Sequence, residues 1–297
     1  MHSPAGLSMS APSPPAETDA VQGSPEPVSL ATLRGRVRAG TPFAALTCYD
    51  ATTAGHLFAA GVDVLLVGDS AAMVLLGEPS TIHAPLEFML TLTAAVKRGA
   101  PRAFVMGDLP FMSYQADVAE GVRNAGRMLT EGRADAVKLE VGPGDDQVLR
   151  RASDAGVPTV AHLGWRPQQS TRVRRPQIAG KTAETQHELV DQAGRFIELG
   201  ASMLLVEAAT AEAGQAVAEL GASHNTPVIG CGAGPDCHGH VVVLQDLVGL
   251  SDWAPRFVEP TGDLATPMRQ AASDWAQKVR RKQYLADGGP YRQPPES

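Results

Sequence analysis

"AAGVDVLLVGDS", residues 59–70, carries the pattern that decides the fold. Gly61 ends a helical stretch, a continuous apolar run follows, and the run stops at Gly68, Asp69 and Ser70. A glycine just past a helix, feeding an apolar run of four to six residues, describes a strand buried on both faces. The same helix stop recurs in "SDAGVP" (153–158) and "IELGAS" (197–202). Similar runs stand at "FAALTCYD" (43–50), "RAFVMGDLP" (102–110), "DAVKLEVG" (135–142), "PTVAHLG" (158–164), "SMLLVEAAT" (202–210) and "TPVIGCGAG" (226–234). "HVVVLQD" (240–246) is the candidate eighth strand. Between the runs lie helical patterns. Leu86, Met89, Leu90, Thr93 and Val96 share one face, as do Leu189, Ala193, Phe196 and Ile197. Strands alternating with helices over about 250 residues predict an α/β protein with a (β/α)8 TIM barrel. The rival is an open doubly wound sheet, disfavoured because no G-x-G-x-x-G follows the first strand.

The chain has 297 residues and a net charge of −7. That charge argues against a nucleic-acid surface or an anionic membrane as partner. No uncharged stretch approaches the roughly 20 apolar residues of a membrane span. The N-terminus lacks a basic segment followed by an apolar core, so no secretory signal is expected. Three cysteines, Cys48, Cys231 and Cys237, are too few for a disulfide framework and suit reduced thiols in the cytoplasm. Residues 1–27 are rich in Pro, Ala and Ser and read as a disordered extension. Residues 28–285 then form one barrel domain, and 286–297 a flexible tail.

The apolar runs end on Asp50, Asp69, Asp108, Glu140, His162, Glu207 and the "GCGAG" loop. In a barrel these ends converge on one face, where active sites form. Carboxylates meeting there need a cation, a shared proton or a basic neighbour. Lys138 stands two before Glu140, so both point to the same face of one strand. Asp69, Asp108 and Glu140 are hard oxygen donors of the kind Mg²⁺ takes. Zinc spacing is absent. Each residue also has a plain structural reading: Asp69 as a helix cap, Asp108 as a turn starter, His162 as a core histidine, "GCGAG" as a tight turn. His83, His238 and His240 read as surface or loop histidines.

These residues sit in segments that resemble a known family. "LTCYDATTAGHLFAAGVDVLLVGDSAAMVLLG", "VKRGAP", "GDLPFMSY", "AVKLEVG", "VPTVAHLGWRPQQS" and "TPVIGCGAGPDCHGHVVVLQDLVGL" are similar, in this order, to the ketopantoate hydroxymethyltransferases (3-methyl-2-oxobutanoate hydroxymethyltransferases). The resemblance implies a barrel of the phosphoenolpyruvate mutase-like type. It implies Mg²⁺ at Asp69 and Asp108, with Glu140 as a further ligand. It implies substrate contacts from Asp69, Ser70, Asp108 and Lys138, proton acceptance by Glu207, and His162 near the reacting end. The co-substrate would be 5,10-methylenetetrahydrofolate, the reaction a step of pantothenate biosynthesis, and the assembly a homo-oligomer, by resemblance a decamer.

The chain departs from the family pattern at several points. Arg174 and Arg175 replace expected glycines, His238-Gly239-His240 replaces Asp-Gly-Gln, Val141 replaces a glycine, and "GEPSTIHAP" (77–85) diverges. Three readings follow. The chain is the pantothenate enzyme, a relative repurposed for another 2-oxo acid in a specialised pathway, or a non-catalytic binding or assembly subunit.

Overall fold

The eight apolar runs pair edge to edge, all parallel, and close on themselves. The computed structural model describes residues 26–142, 144–169 and 177–285. The strands are β1 (Phe43–Thr47), β2 (Val64–Val67), β3 (Phe104–Asp108), β4 (Ala136–Glu140), β5 (Thr159–Gly164), β6 (Met203–Glu207), β7 (Val228–Cys231) and β8 (Gly239–Val242). They follow one another around the barrel in sequence order, and β1 meets β8 from Phe43↔Gly239 to Leu46↔Val242. The helices are α1 (Leu30–Ala39), α2 (Ala51–Ala59), α3 (Ala71–Leu76), α4 (Leu86–Gly99), α5 (Val118–Thr130), α6 (Asp146–Asp154), α7 (Ala183–Glu198), α8 (Ala211–Ser223), α9 (Leu244–Leu247) and α10 (Ala265–Arg280).

Successive side chains on a strand point to opposite faces, and this period sorts the core into two shells. Leu65, Val67, Val105, Val137, Leu139, Ala161, Leu163, Leu204 and Val206 face outward under the helices. Their neighbours face inward: Phe43, Ala45, Val64, Leu66, Phe104, Met106, Ala136, Val160, Met203, Leu205, Ile229 and Val241. Val28 and Leu33 join the inner cluster beside the first residues of the strands, so α1 closes the barrel floor. The three helix stops behave as expected: Gly61, Gly156 and Gly200 take φ of 90°, 87° and 97°. Such left-handed backbone suits glycine.

Three expectations need correction. The eighth strand is Gly239–Val242, and Leu244–Leu247 within the expected run is helical instead. Among the described residues no helix joins β7 to β8. The "GCGAG" loop opens that helix-free return, which packs tightly enough that a Cβ on Gly230 would stand 2.9 Å from Cys237 Sγ. Asp50 is the N-cap of α2, its side chain accepting from Thr53 N, and it lies exposed. The expected disordered extension and tail fall almost wholly on residues outside those described.

Phe104 fills the inner shell at 1% exposure. Phe104→Ala should therefore lower stability by about 3–5 kcal/mol. Trp253→Ala, at a side chain 74% exposed, should change it by less than about 0.5 kcal/mol. Chemical denaturation of both variants checks the contrast.

Candidate active site

The inner face changes character along the strands. On β3, Phe104 and Met106 are followed by Asp108. On β4, Ala136 is followed by Lys138 and Glu140. On β5, Val160 is followed by His162, and on β6, Met203 and Leu205 by Glu207. Period two carries each polar residue into line with the apolar residues below it. Of the expected strand-end residues, Asp69, Asp108, Glu140, His162 and Glu207 therefore meet inside the C-terminal mouth, while Asp50 does not. Asp69, Asp108, Lys138, Glu140 and His162 are all buried.

Lys138 ties the group together. Its Nζ lies 2.8 Å from Asp108 Oδ2 and 3.3 Å from His162 Nδ1. Asp108 Oδ2 also accepts from Asp69 N at 3.2 Å. An ammonium only donates, so His162 Nδ1 accepts from it and the neutral ring carries its proton on Nε2. That Nε2 faces Glu207 Oε2 at 3.4 Å. Nδ1 also lies 3.7 Å from Glu140 Oε1.

Four carboxylates, Asp69, Asp108, Glu140 and Glu207, thus surround one ammonium. Burial pushes the Asp108 carboxyl up to about 7; Lys138 opposes the rise and Asp69 adds to it. Burial likewise raises Glu140 well above the carboxylate range, with Lys138 opposing and Asp69, Asp108 and Glu207 adding. Glu207 is pushed up to about 7 by burial, against the pull of Lys138. Its side chain keeps 22% exposure, so it is crowded by protein while still open to an incoming ligand. Burial works against the Lys138 charge, yet Asp108, Asp69 and Glu140 outweigh it and raise its pKa. Burial and then Lys138 hold His162 well below its usual value, which keeps it neutral.

Asp108 Oδ1 and Glu140 Oε1 are buried without a hydrogen-bond partner. Buried oxygens in that state are costly and point to a missing partner. Hard donors of this type fit Mg²⁺, which takes a few carboxylates and completes its shell with water or substrate oxygens. Among the described residues no three His, Cys, Asp or Glu side chains form a metal cage by themselves. Asp69, Asp108 and Glu140 would therefore hold the ion only together with other oxygens.

Ser70 belongs to the mouth as expected, its Oγ 2.8 Å from the Tyr49 hydroxyl. It stands at the N-cap of α3 without a side-chain capping bond. His238 and His240 lie elsewhere: His238 Nδ1 accepts from Val228 N, and His240 Nε2 lies 3.1 Å from Pro235 O. His83 ends a 3₁₀ turn and is itself exposed. Val141 is core, and Arg174 and Arg175 lie outside the described residues. Sequence reasoning missed Gln168 and Tyr114. The Gln168 side chain donates to Asp69 Oδ2 at 3.0 Å, and its backbone N donates to Glu140 Oε2 at 3.0 Å. The Tyr114 hydroxyl accepts from Glu140 N at 3.0 Å. Both residues lie in the quoted motifs "GDLPFMSY" and "VPTVAHLGWRPQQS", the one signal that marked them.

The model of the family described as ketopantoate hydroxymethyltransferase matches residues 27–287. Relatives described as 3-methyl-2-oxobutanoate hydroxymethyltransferase include one from Hyperthermus butylicus, 41% identical, covering 86% of this chain and 89% of its own length. One from Pyrobaculum islandicum is 38% identical over 81% and 90%. Another, from Carboxydothermus hydrogenoformans, is 36% identical over 91% and 97%. Among solved structures, a phosphonopyruvate hydrolase in complex with oxalate and Mg²⁺ superposes with TM-score 0.58 at 12% identity, covering 88% of this chain and 91% of that one. A 2,3-dimethylmalate lyase of the PEP mutase/isocitrate lyase superfamily gives 0.55 at 16%, covering 92% and 91%. The (β/α)8 barrel is thus a fold this chain shares with members of the PEP mutase/isocitrate lyase superfamily.

A carboxyl whose folded pKa is raised favours folding most at low pH. For Glu207 the contribution is full below about 4.5 and is lost as pH rises through about 7. Glu207→Gln removes that dependence. In metal-free protein the variant should gain stability relative to wild type between pH 5 and pH 8, read by urea denaturation at both values.

Proposed function

The chain belongs to the ketopantoate hydroxymethyltransferase family, and from that premise we propose the following. It is a Mg²⁺-dependent enzyme that transfers a hydroxymethyl group from 5,10-methylenetetrahydrofolate to 3-methyl-2-oxobutanoate. The product is ketopantoate, made for pantothenate biosynthesis. The observation that carries the proposal is the clustering of Asp69, Asp108, Glu140 and Glu207 around Lys138, with Asp108 Oδ1 and Glu140 Oε1 unpartnered.

Mg²⁺ held by Asp69 and Asp108, with Glu140 as a further ligand, would polarise the keto group of the bound 2-oxo acid. The protein groups do the rest. Lys138 and Ser70 meet the substrate's oxygens, and Lys138 offsets the carboxylate charge around it. Glu207 takes the C3 proton. With a pKa of about 7 it is anionic in part near neutrality and still a useful base. His162 stays neutral, with its Nε2 3.4 Å from Glu207 Oε2. Water frees the methylene group from the folate carrier as formaldehyde, the enolate carbon adds to the formaldehyde carbon, and the alkoxide so formed takes up the proton that Glu207 holds.

Two of the departures fall on residues with structural partners of their own. Val141 is core, and His238 and His240 lie apart from the carboxylates. Of the three readings, the pantothenate enzyme is favoured over one repurposed for another 2-oxo acid and over a non-catalytic subunit.

We further propose a cytoplasmic homo-oligomer, by family a decamer. The free thiols of Cys48, Cys231 and Cys237 suit a reducing compartment. No described helix is long and apolar enough to cross a membrane. Helix α10 buries none of its residues and shows Met268, Trp275 and Val279 on one stripe. Exposed apolar area of that kind suits a second copy of the chain.

Purified protein given 3-methyl-2-oxobutanoate, 5,10-methylenetetrahydrofolate and Mg²⁺ should release ketopantoate. Chelation should stop the reaction and added Mg²⁺ should restore it. Turnover unaffected by chelation would contradict the metal role, and no turnover on this substrate would contradict the assignment. Light scattering of the eluted protein should give a mass far above one chain.

A further inference from the structure

Gln168 is buried to 1% exposure, although it comes from a loop after β5. A 3₁₀ turn, Pro167–Gln169, carries it back over the mouth. Its side-chain amide can be oriented without ambiguity. Oε1 lies 2.9 Å from the Tyr114 hydroxyl and accepts from Gln115 Nε2 at 3.1 Å. Nε2 donates to Leu109 O at 2.9 Å and to Asp69 Oδ2 at 3.0 Å. Turning the amide over would face donor to donor at Gln115 and oxygen to oxygen at Leu109 and Asp69.

The same residue reaches a second carboxylate by its backbone. Gln168 N donates to Glu140 Oε2 at 3.0 Å, and Glu140 Oε1 is left buried with no partner. On the opposite side, Asp108 shows the same division of labour. Lys138 and Asp69 N occupy its Oδ2, and Oδ1 is left bare. One oxygen of each carboxylate is therefore engaged by protein, and the other is released.

We infer that Gln168 is a positioning residue that fixes which oxygen of Asp69 and of Glu140 is presented to the site, and so sets its affinity for a divalent cation. The inference rests on the proposed reading of these carboxylates as a cation site. Partners that orient ligating groups typically change metal affinity by about 10- to 100-fold when removed. Tyr114 extends the arrangement, since its hydroxyl meets both Gln168 Oε1 and the Glu140 backbone.

The test is Mn²⁺ titration of the full-length, metal-free protein, read as free Mn²⁺ by electron paramagnetic resonance, with no substrate present. Gln168→Met keeps the volume and the backbone N–H but loses the side-chain hydrogen bonds. Its Kd for Mn²⁺ should rise about 10-fold or more. Tyr114→Phe provides a second, milder probe and should weaken binding several-fold even where Gln168→Met does not fold. A purely structural role would lower the melting temperature of either variant and leave the Kd of folded protein unchanged, which overturns the inference. Wild-type protein that binds no Mn²⁺ overturns the metal reading itself, and the inference with it. Tight binding by wild type and by both variants overturns the inference alone.

Discussion

A buried ammonium held against a buried carboxylate, Lys138 to Asp108 at 2.8 Å, is the contact on which the barrel mouth depends. Such a pair is a poor way to gain stability, because desolvation offsets most of the attraction. Losing one partner is worse, at about 3–5 kcal/mol, since a charge is then stranded. Lys138 also fixes the tautomer of His162 and opposes the rise in the acids around it. One side chain thus links the acids that would hold a cation to the acid that would take a proton.

The barrel makes this arrangement affordable by separating two environments along the same strands. Phe104, Met106, Val160 and Leu205 fill the lower interior, and Val28 and Leu33 close the floor. The charged layer above them is reached from the mouth. Four acids around one ammonium leave an excess of negative charge, and burial raises the pKa values of Asp108, Glu140 and Glu207. A divalent cation relieves that excess more fully than protons do, because it meets several oxygens at once. The bare oxygens of Asp108 and Glu140 are where such a cation would be met.

Much of this was legible from residues alone. Buried parallel strands require continuous apolar runs, so "VDVLLVGDS" and its counterparts disclosed the barrel. Period two alone places Lys138 and Glu140 on one face of β4. What the sequence hid has a physical cause in each case. Asp50 and Asp69 both follow an apolar run, and only three-dimensional contacts separate the helix cap from the site acid. In "HVVVLQD" the apolar run from Val241 to Leu244 continues past the strand end at Val242, so nothing in that run marks the turn into α9. Gln168 and Tyr114 reach the site from loops, where no periodicity points a side chain inward.

The most direct test of the account is exchange at C3 of 3-methyl-2-oxobutanoate in D₂O with Mg²⁺ and no folate, followed by proton magnetic resonance. This isolates proton removal from carbon transfer. Wild-type protein should exchange the C3 proton, and Glu207→Gln should lose about 100-fold or more of that rate. Exchange at the full rate by Glu207→Gln would contradict the role given to Glu207 and to the charged layer that tunes it.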